Sequence, residues 1–258
     1  MMVEKLLHRR DVAILLSVGT ILLVWQILAT VINSPLILPL PKETFEVLIQ
    51  DMGKPLFWQH VGATACRSLV AFVISVVVGT LLGVASGASE SVHNLLDFPL
   101  AMMRATPVVS FILLALFWFG SSIVPIFVAM VMSLPVMISA VETGIKNTDK
   151  DLIACCRVYG FSTGKMLCHL YFPSCKPHFF AGSLAAFGLS WKVVAAAEVI
   201  SLPYRSAGTL LQNAKVHLET AQVFAITMVL VILSFILESL FSFILHRRGL
   251  LTGGKAAK

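Results

Sequence analysis

Long runs of apolar residues set the strongest limit on what this chain can fold into. A bilayer core of about 30 Å is crossed by roughly 20 apolar residues in an α-helix. Because backbone polar groups find no water in lipid, such runs must be helical. Six runs of about this length carry few charges, at about 12–32, 64–87, 98–119, 122–142, 178–200 and 221–245. We therefore predict an all-α polytopic membrane protein with six transmembrane helices, forming one domain over residues 1–258.

Composition supports this prediction, because 58% of the residues are hydrophobic and only 12% are charged. The net charge of +6 is attributed first to the basic residues that orient a protein in the membrane, so binding of nucleic acid is not expected. The first 28 residues combine a basic start with an apolar run long enough to span, and they lack an A-x-A-like cleavage site. The first span is therefore predicted to be a retained helix.

The distribution of Lys and Arg predicts the orientation. If the N-terminus is cytoplasmic, twelve of these residues flank the inner ends of the spans and four flank the outer ends. Basic residues are enriched on the cytoplasmic side, so both termini and the loop 143–177 are predicted to be cytoplasmic. Most of the five cysteines lie in or near this loop and should be reduced thiols.

Small residues and prolines predict how the spans pack. Gly79, Gly83 and Gly87 form a ridge in the second span that lets another helix approach closely, and packing within one subunit is favoured over a dimer face. Prolines inside the third and fourth spans require neighbours that satisfy the freed carbonyl groups, so both helices are expected inside the bundle. These prolines are Pro107, Pro125 and Pro135. The connections 36–62, with Pro41 at a helix start, and 201–220 have room for short helices.

The segment from Asp151 to Pro173 is a polar interruption between the fourth and fifth spans. A first short helix is predicted to end at Gly160, a residue suited to a left-handed cap. Ser162 or Thr163 then caps a second helix that stops at Phe172-Pro173. The prediction is a helix-turn-helix hairpin, and small residues leave its first helix slim enough to fit a groove on another protein.

This hairpin resembles the cytoplasmic loop of permease subunits in binding-protein-dependent ABC importers, whose pattern is E-A-A-x3-G-x9-I-x-L-P. Ala154-Cys155-Cys156, Gly160 and Leu170-Tyr171-Phe172-Pro173 fall at those spacings. Ala154 stands where the pattern has Glu, two Cys replace the two Ala, and Phe172 replaces Leu. Asp151 lies three residues before Ala154 on the same helical face and is the candidate replacement for the missing carboxylate.

Further segments are similar to the nitrate/taurine/sulfonate branch of these permeases, and the resemblance covers roughly Leu38 to Leu245. They are LPLPKE after the first span, the spacing of His60, Thr64 and Arg67, the run RATPVVSFILLALFWFG, and GLSWKVVAAAEVI in the fifth span.

The resemblance implies a transport subunit of the bacterial plasma membrane that is not itself an enzyme. Two permease copies, here a homodimer, would form the pathway, two ATPase subunits would bind ATP and Mg²⁺ and grip the hairpins, and an extracytoplasmic binding protein would deliver solute. The solute would be nitrate, a sulfonate, taurine or a vitamin precursor. The coupling residues implied are Asp151, Ala154, Cys155, Cys156, Gly160 and Pro173.

The chain itself lacks a nucleotide-binding loop. The segment GFSTGKM from Gly160 to Met166 only mimics a Walker A motif, because its glycines are one residue too close and Met166 replaces a Mg²⁺-binding hydroxyl. No cofactor is predicted in this chain, and energy is expected from a partner ATPase that tilts the spans through the hairpin.

A cluster of thiols and imidazoles near the hairpin invites comparison with zinc sites. Its members are Cys155, Cys156, Cys168, His169, Cys175 and His178. No pair has the C-x2-C spacing, and helix packing explains small apolar cysteines. A metal site is not predicted, and no third group is evident to orient a Cys-His catalytic pair.

Charged residues within the spans are costly and are candidates for the solute pathway. The candidates are Lys192, Glu198 and Arg104. Lys192 lies about 21 Å along the fifth span from His178. Two structural alternatives are open for it: an ion pair with Glu198 or Glu142, or snorkelling to the outer interface. Arg104 is also interpretable as structural, and Glu238 is expected to face the bundle.

A self-sufficient secondary transporter or channel is the main alternative from another class. It predicts two-fold internal symmetry, which is not evident in the sequence. A membrane enzyme that uses the Cys/His cluster is a further alternative.

Overall fold

The structure is a computed structural model that describes residues 10–247, apart from the side chains of Arg10, Asp11, Ala13, Lys150, Arg157, Thr163, Leu167, Cys168 and His246. Within these residues the fold is all-α, as predicted, and contains no strand. The helices are α1 (Arg10–Ile32), α2 (Pro41–Met52), α3 (Pro55–Ala88), α4 (Glu90–Ala105), α5 (Val108–Trp118), α6 (Val124–Lys146), α7 (Lys150–Val158), α8 (Thr163–Met166), α9 (Phe172–Ser201), α10 (Ala207–Val216) and α11 (Thr220–Arg247), with a π-helical turn (Leu167–Tyr171) before α9.

Five single helices are long and apolar enough to cross a membrane. They are α1, α3, α6, α9 and α11, and they correspond to the first, second, fourth, fifth and sixth predicted spans, although α6 begins two residues later than predicted. Because α3 has 34 residues, its length of about 51 Å exceeds the bilayer core and it begins well before the predicted second span. Most of the basic residues near the termini that entered the charge count lie outside the described residues.

The third predicted span, 98–119, is wrong as a single straight helix. Its residues fall in α4 and α5, whose axes are bent by 102° at a short break. Thr106 has extended backbone angles (φ −76°, ψ 128°), which is what a residue before proline adopts. Pro107 lacks an N–H to continue the helix, and its carbonyl accepts bonds from Ser110 and Phe111 that start α5. The proline therefore divides the span instead of being tolerated within it.

The core of the molecule is formed by α3, α6 and α9, and α6 is the most deeply buried of the five single-helix spans. Val128 and Ala129 of α6 pack with Val194 of α9 in one part of this core, and Met137 of α6 packs with Ala186 of α9 in the adjoining part. Pro125 and Pro135 are both buried in α6, which confirms the expected interior position of the fourth span.

The glycine ridge of α3 packs against α6 within the subunit, as predicted. A Cβ placed at Gly79, Gly83 or Gly87 would lie 2.5, 2.7 or 2.8 Å from a side-chain Cβ of α6. The α6 residues concerned are Met137, Val141 and Ile145, which repeat at the same four-residue spacing. The ridge therefore brings the two helices together along three successive turns.

We predict that Gly83→Ala destabilises the protein by about 1–3 kcal/mol, because overpacking forces the helices apart. The new Cβ would lie 2.9 Å from the carbonyl oxygen of Ile138, a backbone atom that cannot rotate away. Gly62→Ala is the matched control in the same helix, since nothing lies within 4 Å of its Cβ position. It should stabilise the helix by up to about 1 kcal/mol. The free energy of unfolding in mixed detergent micelles is the measurement, and a gain for both variants would contradict the packing argument.

Two short helices occupy the connections in which they were predicted. Pro41 begins α2, where the Glu43 carboxylate accepts a bond from the Leu40 N–H at 3.2 Å. Helix α10 begins at the cap residue Ser206, whose Oγ accepts a bond from the Thr209 N–H at 2.9 Å. By contrast, α1 is largely exposed along its length, although the Trp25 indole donates a bond to the Pro39 carbonyl.

Candidate functional site

The first helix of the hairpin has well-defined ends. The Asp149 carboxylate accepts a bond from the Asp151 N–H at 2.8 Å and so caps α7. At the other end Gly160 has φ +69°, and the Phe161 N–H donates to the Cys156 carbonyl at 3.0 Å. This is the bond of a Schellman motif, which confirms the left-handed cap predicted at Gly160. The Asp149 cap was not predicted.

The second half of the hairpin differs from the prediction of a helix that stops at Phe172-Pro173. The chain passes from α8 through the π-helical turn directly into α9, so Pro173 lies in the first turn of a 30-residue helix. Proline is tolerated there because the first turn does not need its N–H. The predicted stop is therefore wrong, and the hairpin is continuous with the fifth span.

Most side chains of α7 described by the structure are exposed. Leu152, Val158 and Tyr159 are 51%, 86% and 76% exposed, although all three are large and carry apolar surface. Ala154 and Cys155 are also exposed and Cys156 is half-buried. The Asp151 side chain is exposed on the same helix. An apolar surface on a short helix outside the packed bundle is typical of a site that binds another protein.

Glu198 lies at the centre of a buried polar cluster near the end of α9. Its side chain is fully buried, and its two oxygens contact Arg67 and Thr64 of α3. Arg67 Nη1 lies 2.8 Å from Glu198 Oε1, and Thr64 Oγ1 donates to Oε2 at 2.7 Å. The Gly208 N–H at the start of α10 also donates to Oε2, at 3.3 Å.

The same cluster ties down the loop between α9 and α10. Arg67 also donates to the Arg205 carbonyl at 2.7 Å, and Thr64 accepts a bond from the Ala207 N–H at 2.9 Å. The His60 Nδ1 accepts a bond from the Ser206 N–H at 3.0 Å. His60, Thr64 and Arg67 lie on one face of α3, because residues four and seven apart share a helical face. The arrangement satisfies the Glu198 charge internally.

Lys192 pairs with neither of the carboxylates proposed for it. Glu198 is occupied by Arg67, and Glu142 is occupied by Lys146 and His93. Lys192 is exposed on α9 and lines a groove between α9 and α11, together with Glu238. Glu238 is half-buried and packs against α9, which confirms that it faces the bundle.

A second charged cluster, not predicted from the sequence, joins the ends of three helices. The Glu142 carboxylate of α6 lies 2.6 Å from Lys146 Nζ and 2.7 Å from His93 Nδ1 of α4. It also accepts a bond from the Ser86 hydroxyl of α3 at 3.0 Å. The nearest sequence signal was the four-residue spacing of Glu142 and Lys146.

The remaining candidates are not brought together. Arg104 is exposed in the last turn of α4, beside the break at Pro107. Among the described residues, no three His, Cys, Asp or Glu side chains come together in a way that could hold a metal ion. The side chain of Cys168, a member of the predicted thiol cluster, lies outside the described part of the chain.

Comparison with known proteins places these features in a family. Residues 75–249 match the family described as binding-protein-dependent transport system inner membrane component. The chain is 32% identical over 236 residues to the taurine transport system permease protein of Escherichia coli K12, covering 86% of this chain and 84% of that protein. It is also 32% identical over 208 residues to a permease protein named for aliphatic sulfonates transport in the same organism, covering 80% and 78% of the two chains.

Solved structures support the same fold. An inward-facing form of the MetNI methionine ABC transporter aligns with a TM-score of 0.66 at 14% identity, covering 74% of this chain and 95% of the aligned chain. At this identity the likeness concerns the fold alone. Together with the match over residues 75–249 and the bundle of membrane-spanning helices, it shows that the chain belongs to the family of inner membrane components of binding-protein-dependent transport systems.

Proposed function

We propose that this chain forms the solute pathway of an ATP-driven importer and that α7 is the element on which a separate ATPase acts. The observation that carries the proposal is the exposed apolar surface of α7, ended by the cap at Gly160. A chain of this family that presents such a helix outside its membrane bundle is suited to docking in a groove of a partner. The proposed coupling residues are Asp151, Ala154, Cys155, Cys156, Gly160 and Pro173.

The continuity of the hairpin with α9 provides the mechanical link. A force applied to α7 crosses the short turn at residues 159–162, after which α8, the π turn and α9 follow one another without a loop. Because α9 packs along α6 and α3, its tilting moves the core of the bundle as a rigid body. Closure of the ATPase dimer would in this way alternate the side of the membrane from which the pathway is open.

The partners follow from this division of labour. Two ATPase subunits bind ATP and Mg²⁺, a second copy of this chain completes the pathway, and an extracytoplasmic protein delivers solute. This arrangement requires α7 on the cytoplasmic side, which agrees with the excess of Lys and Arg flanking that side. Both termini then lie in the cytoplasm of a bacterial cell, and residues 1–258 form one permease domain.

Among the charged candidates, Lys192 is the proposed pathway residue. It is exposed at membrane depth, whereas Glu198 is enclosed by its own partners and is assigned a structural role. Arg104 is exposed near the end of α4, and we propose that it lies at the inner interface instead of in the pathway. The relatives named for taurine and aliphatic sulfonates favour a small solute with a sulfonate or similar oxyanion group.

Reconstitution tests the proposal. Proteoliposomes that contain this chain, its cognate ATPase and the solute-loaded binding protein should accumulate solute only when ATP is present. The matched control replaces the Walker A lysine of the ATPase, which should remove uptake without preventing assembly. Uptake by this chain alone under an ion gradient would contradict the proposal and would favour a secondary transporter or channel.

A further inference from the structure

The groove between α9 and α11 is the feature from which we infer a solute class. Its volume is about 390 Å³, comparable to the volumes of small-molecule sites. It combines apolar walls with several polar groups within the predicted spans. It is lined by Trp191, Lys192, Ala195, Thr227, Leu230, Val231, Ser234, Phe235 and Glu238.

Lys192 supplies a cation in this groove. It lies nine residues before the end of α9, or about 13.5 Å along the helix, and therefore well inside a hydrocarbon core of about 30 Å. In the described part of the chain it has neither an ion-pair partner nor a hydrogen-bond acceptor. An unpaired ammonium group at this depth is costly unless it faces water or a ligand.

Glu238 supplies an anion in the same groove, at the level of Gly188 on the antiparallel helix α9. Its Oε1 accepts a bond from the Ser234 hydroxyl at 3.0 Å, and no described Lys, Arg or His forms an ion pair with it. The carboxylate rests against Gly188 of α9, where an added Cβ would lie 2.7 Å from Oε1. The absence of a side chain at Gly188 thus makes room for this carboxylate in the groove.

The Lys192 backbone is offset from the level of the Glu238 carboxylate by about one helical turn. Gly188 and Lys192 are four residues apart on one face of α9, so the Lys192 backbone lies about 6 Å along the helix from the level of Glu238. A solute that carried only negative charge would meet Lys192 favourably but would be repelled by Glu238. A solute with both charges would interact favourably with both residues. The groove would therefore favour a zwitterion over an anion, because Glu238 attracts the ammonium group of the first and repels the second.

We propose that this groove binds a small zwitterion during transport, with its oxyanion group at Lys192 and its ammonium group at Glu238. The inference rests on the proposed function. It extends the proposed solute from one with an oxyanion group to one that carries both an oxyanion group and an ammonium group. Gly188 acts as a positioning residue, because it sets where the Glu238 carboxylate lies. A sulfonate or carboxylate joined to an ammonium group by a short chain is a solute of this class.

The test measures protection of a reporter cysteine in the assembled complex with its ATPase. Thr227→Cys places a thiol in the groove wall, and its labelling by a membrane-impermeant sulfonate methanethiosulfonate reports access from water. Peptide mass spectrometry identifies the labelled position, because natural cysteines also react. Taurine and β-alanine are the zwitterionic probes, and ethanesulfonate is the matched anion without an ammonium group.

We expect labelling at position 227, and protection by at least one zwitterion at a concentration about tenfold lower than ethanesulfonate requires. Glu238→Gln should remove that advantage and leave protection by ethanesulfonate unchanged or improved. Lys192→Met should weaken protection by all probes about tenfold. Gly188→Ala should act like Glu238→Gln without a change of charge, whereas Glu238→Asp should retain part of the preference.

Three results would overturn the inference. They are an unreactive cysteine at position 227, equal or absent protection by all three probes, and protection that is insensitive to Lys192→Met and Glu238→Gln. Each variant is first confirmed to purify with the ATPase, so a folding defect is seen separately. ATP-driven uptake by the unsubstituted complex is measured in parallel, and its loss would contradict the proposed function instead.

Discussion

Replacement of Gly160 by Arg is expected to abolish ATP-driven uptake in the reconstituted complex. Gly160 has φ +69°, a conformation that costs a residue with a side chain about 1–2 kcal/mol. The bulky charged side chain would also project from the end of the exposed helix that we propose as the docking element. Loss of a central interface contact costs about 2 kcal/mol or more, so affinity for the ATPase should fall by more than about tenfold.

Two further variants distinguish the effect of backbone strain at Gly160 from the effect of an altered docking surface on α7. Gly160→Asn should retain most of the uptake, because Asn adopts the left-handed conformation more readily than other residues. Cys155→Arg adds bulk and charge to an exposed position of α7 without altering the cap, and it should reduce uptake as strongly as Gly160→Arg. Uptake and co-purification of the ATPase are measured for each variant. If an assembled complex with Gly160→Arg kept full uptake, α7 would not be the coupling element.

Glu198→Ala is expected to lower the free energy of unfolding by about 3–5 kcal/mol, because it leaves a largely buried Arg67 without its counter-ion. The same change leaves the Thr64 hydroxyl and the Gly208 N–H without their shared acceptor. The loop between α9 and α10 should loosen together with α3. Unfolding in mixed detergent micelles measures the free energy, and hydrogen exchange of residues 202–208 reports the loop.

Glu219→Ala is the matched control, since it removes the same charge from an exposed position before α11. It should change stability by no more than about 0.5 kcal/mol. The double variant Arg67→Met/Glu198→Leu should recover much of the loss, because apolar residues of similar volume often replace a buried ion pair without penalty. Equal effects of Glu198→Ala and Glu219→Ala would show that the cluster does not hold α3, α9 and α10 together.

The elements predicted correctly are those specified by their own residues. Five of six apolar runs lie in long helices, and the cap at Gly160 forms where the sequence placed it. The third span is not one helix, because hydropathy counts its apolar residues while its shape depends on the break at Pro107. At Phe172-Pro173 a helix end was predicted where none exists, because a proline in the first turn of a helix does not end it.

The candidate sites were predicted less completely. Lys192 and Glu198 were identified as unusual because charge within a span is visible in the sequence. The residues that surround them were not predicted, because the Arg67 that forms an ion pair with Glu198 belongs to a different helix. The groove that joins Lys192 to Glu238 likewise depends on Gly188, whose importance appears only when α11 is packed against α9.

The sequence by itself determined the membrane-spanning class, most spans and the capped hairpin, because hydropathy, helix periodicity and capping act over neighbouring residues. Only the tertiary structure decided which charged side chains are buried in ion pairs and which are exposed in a groove where they could bind a solute. Arg67 and Glu198 are 131 residues apart, and their pairing depends on how α3 and α9 pack. The packing of α11 against α9 likewise leaves Lys192 and Glu238 in one groove.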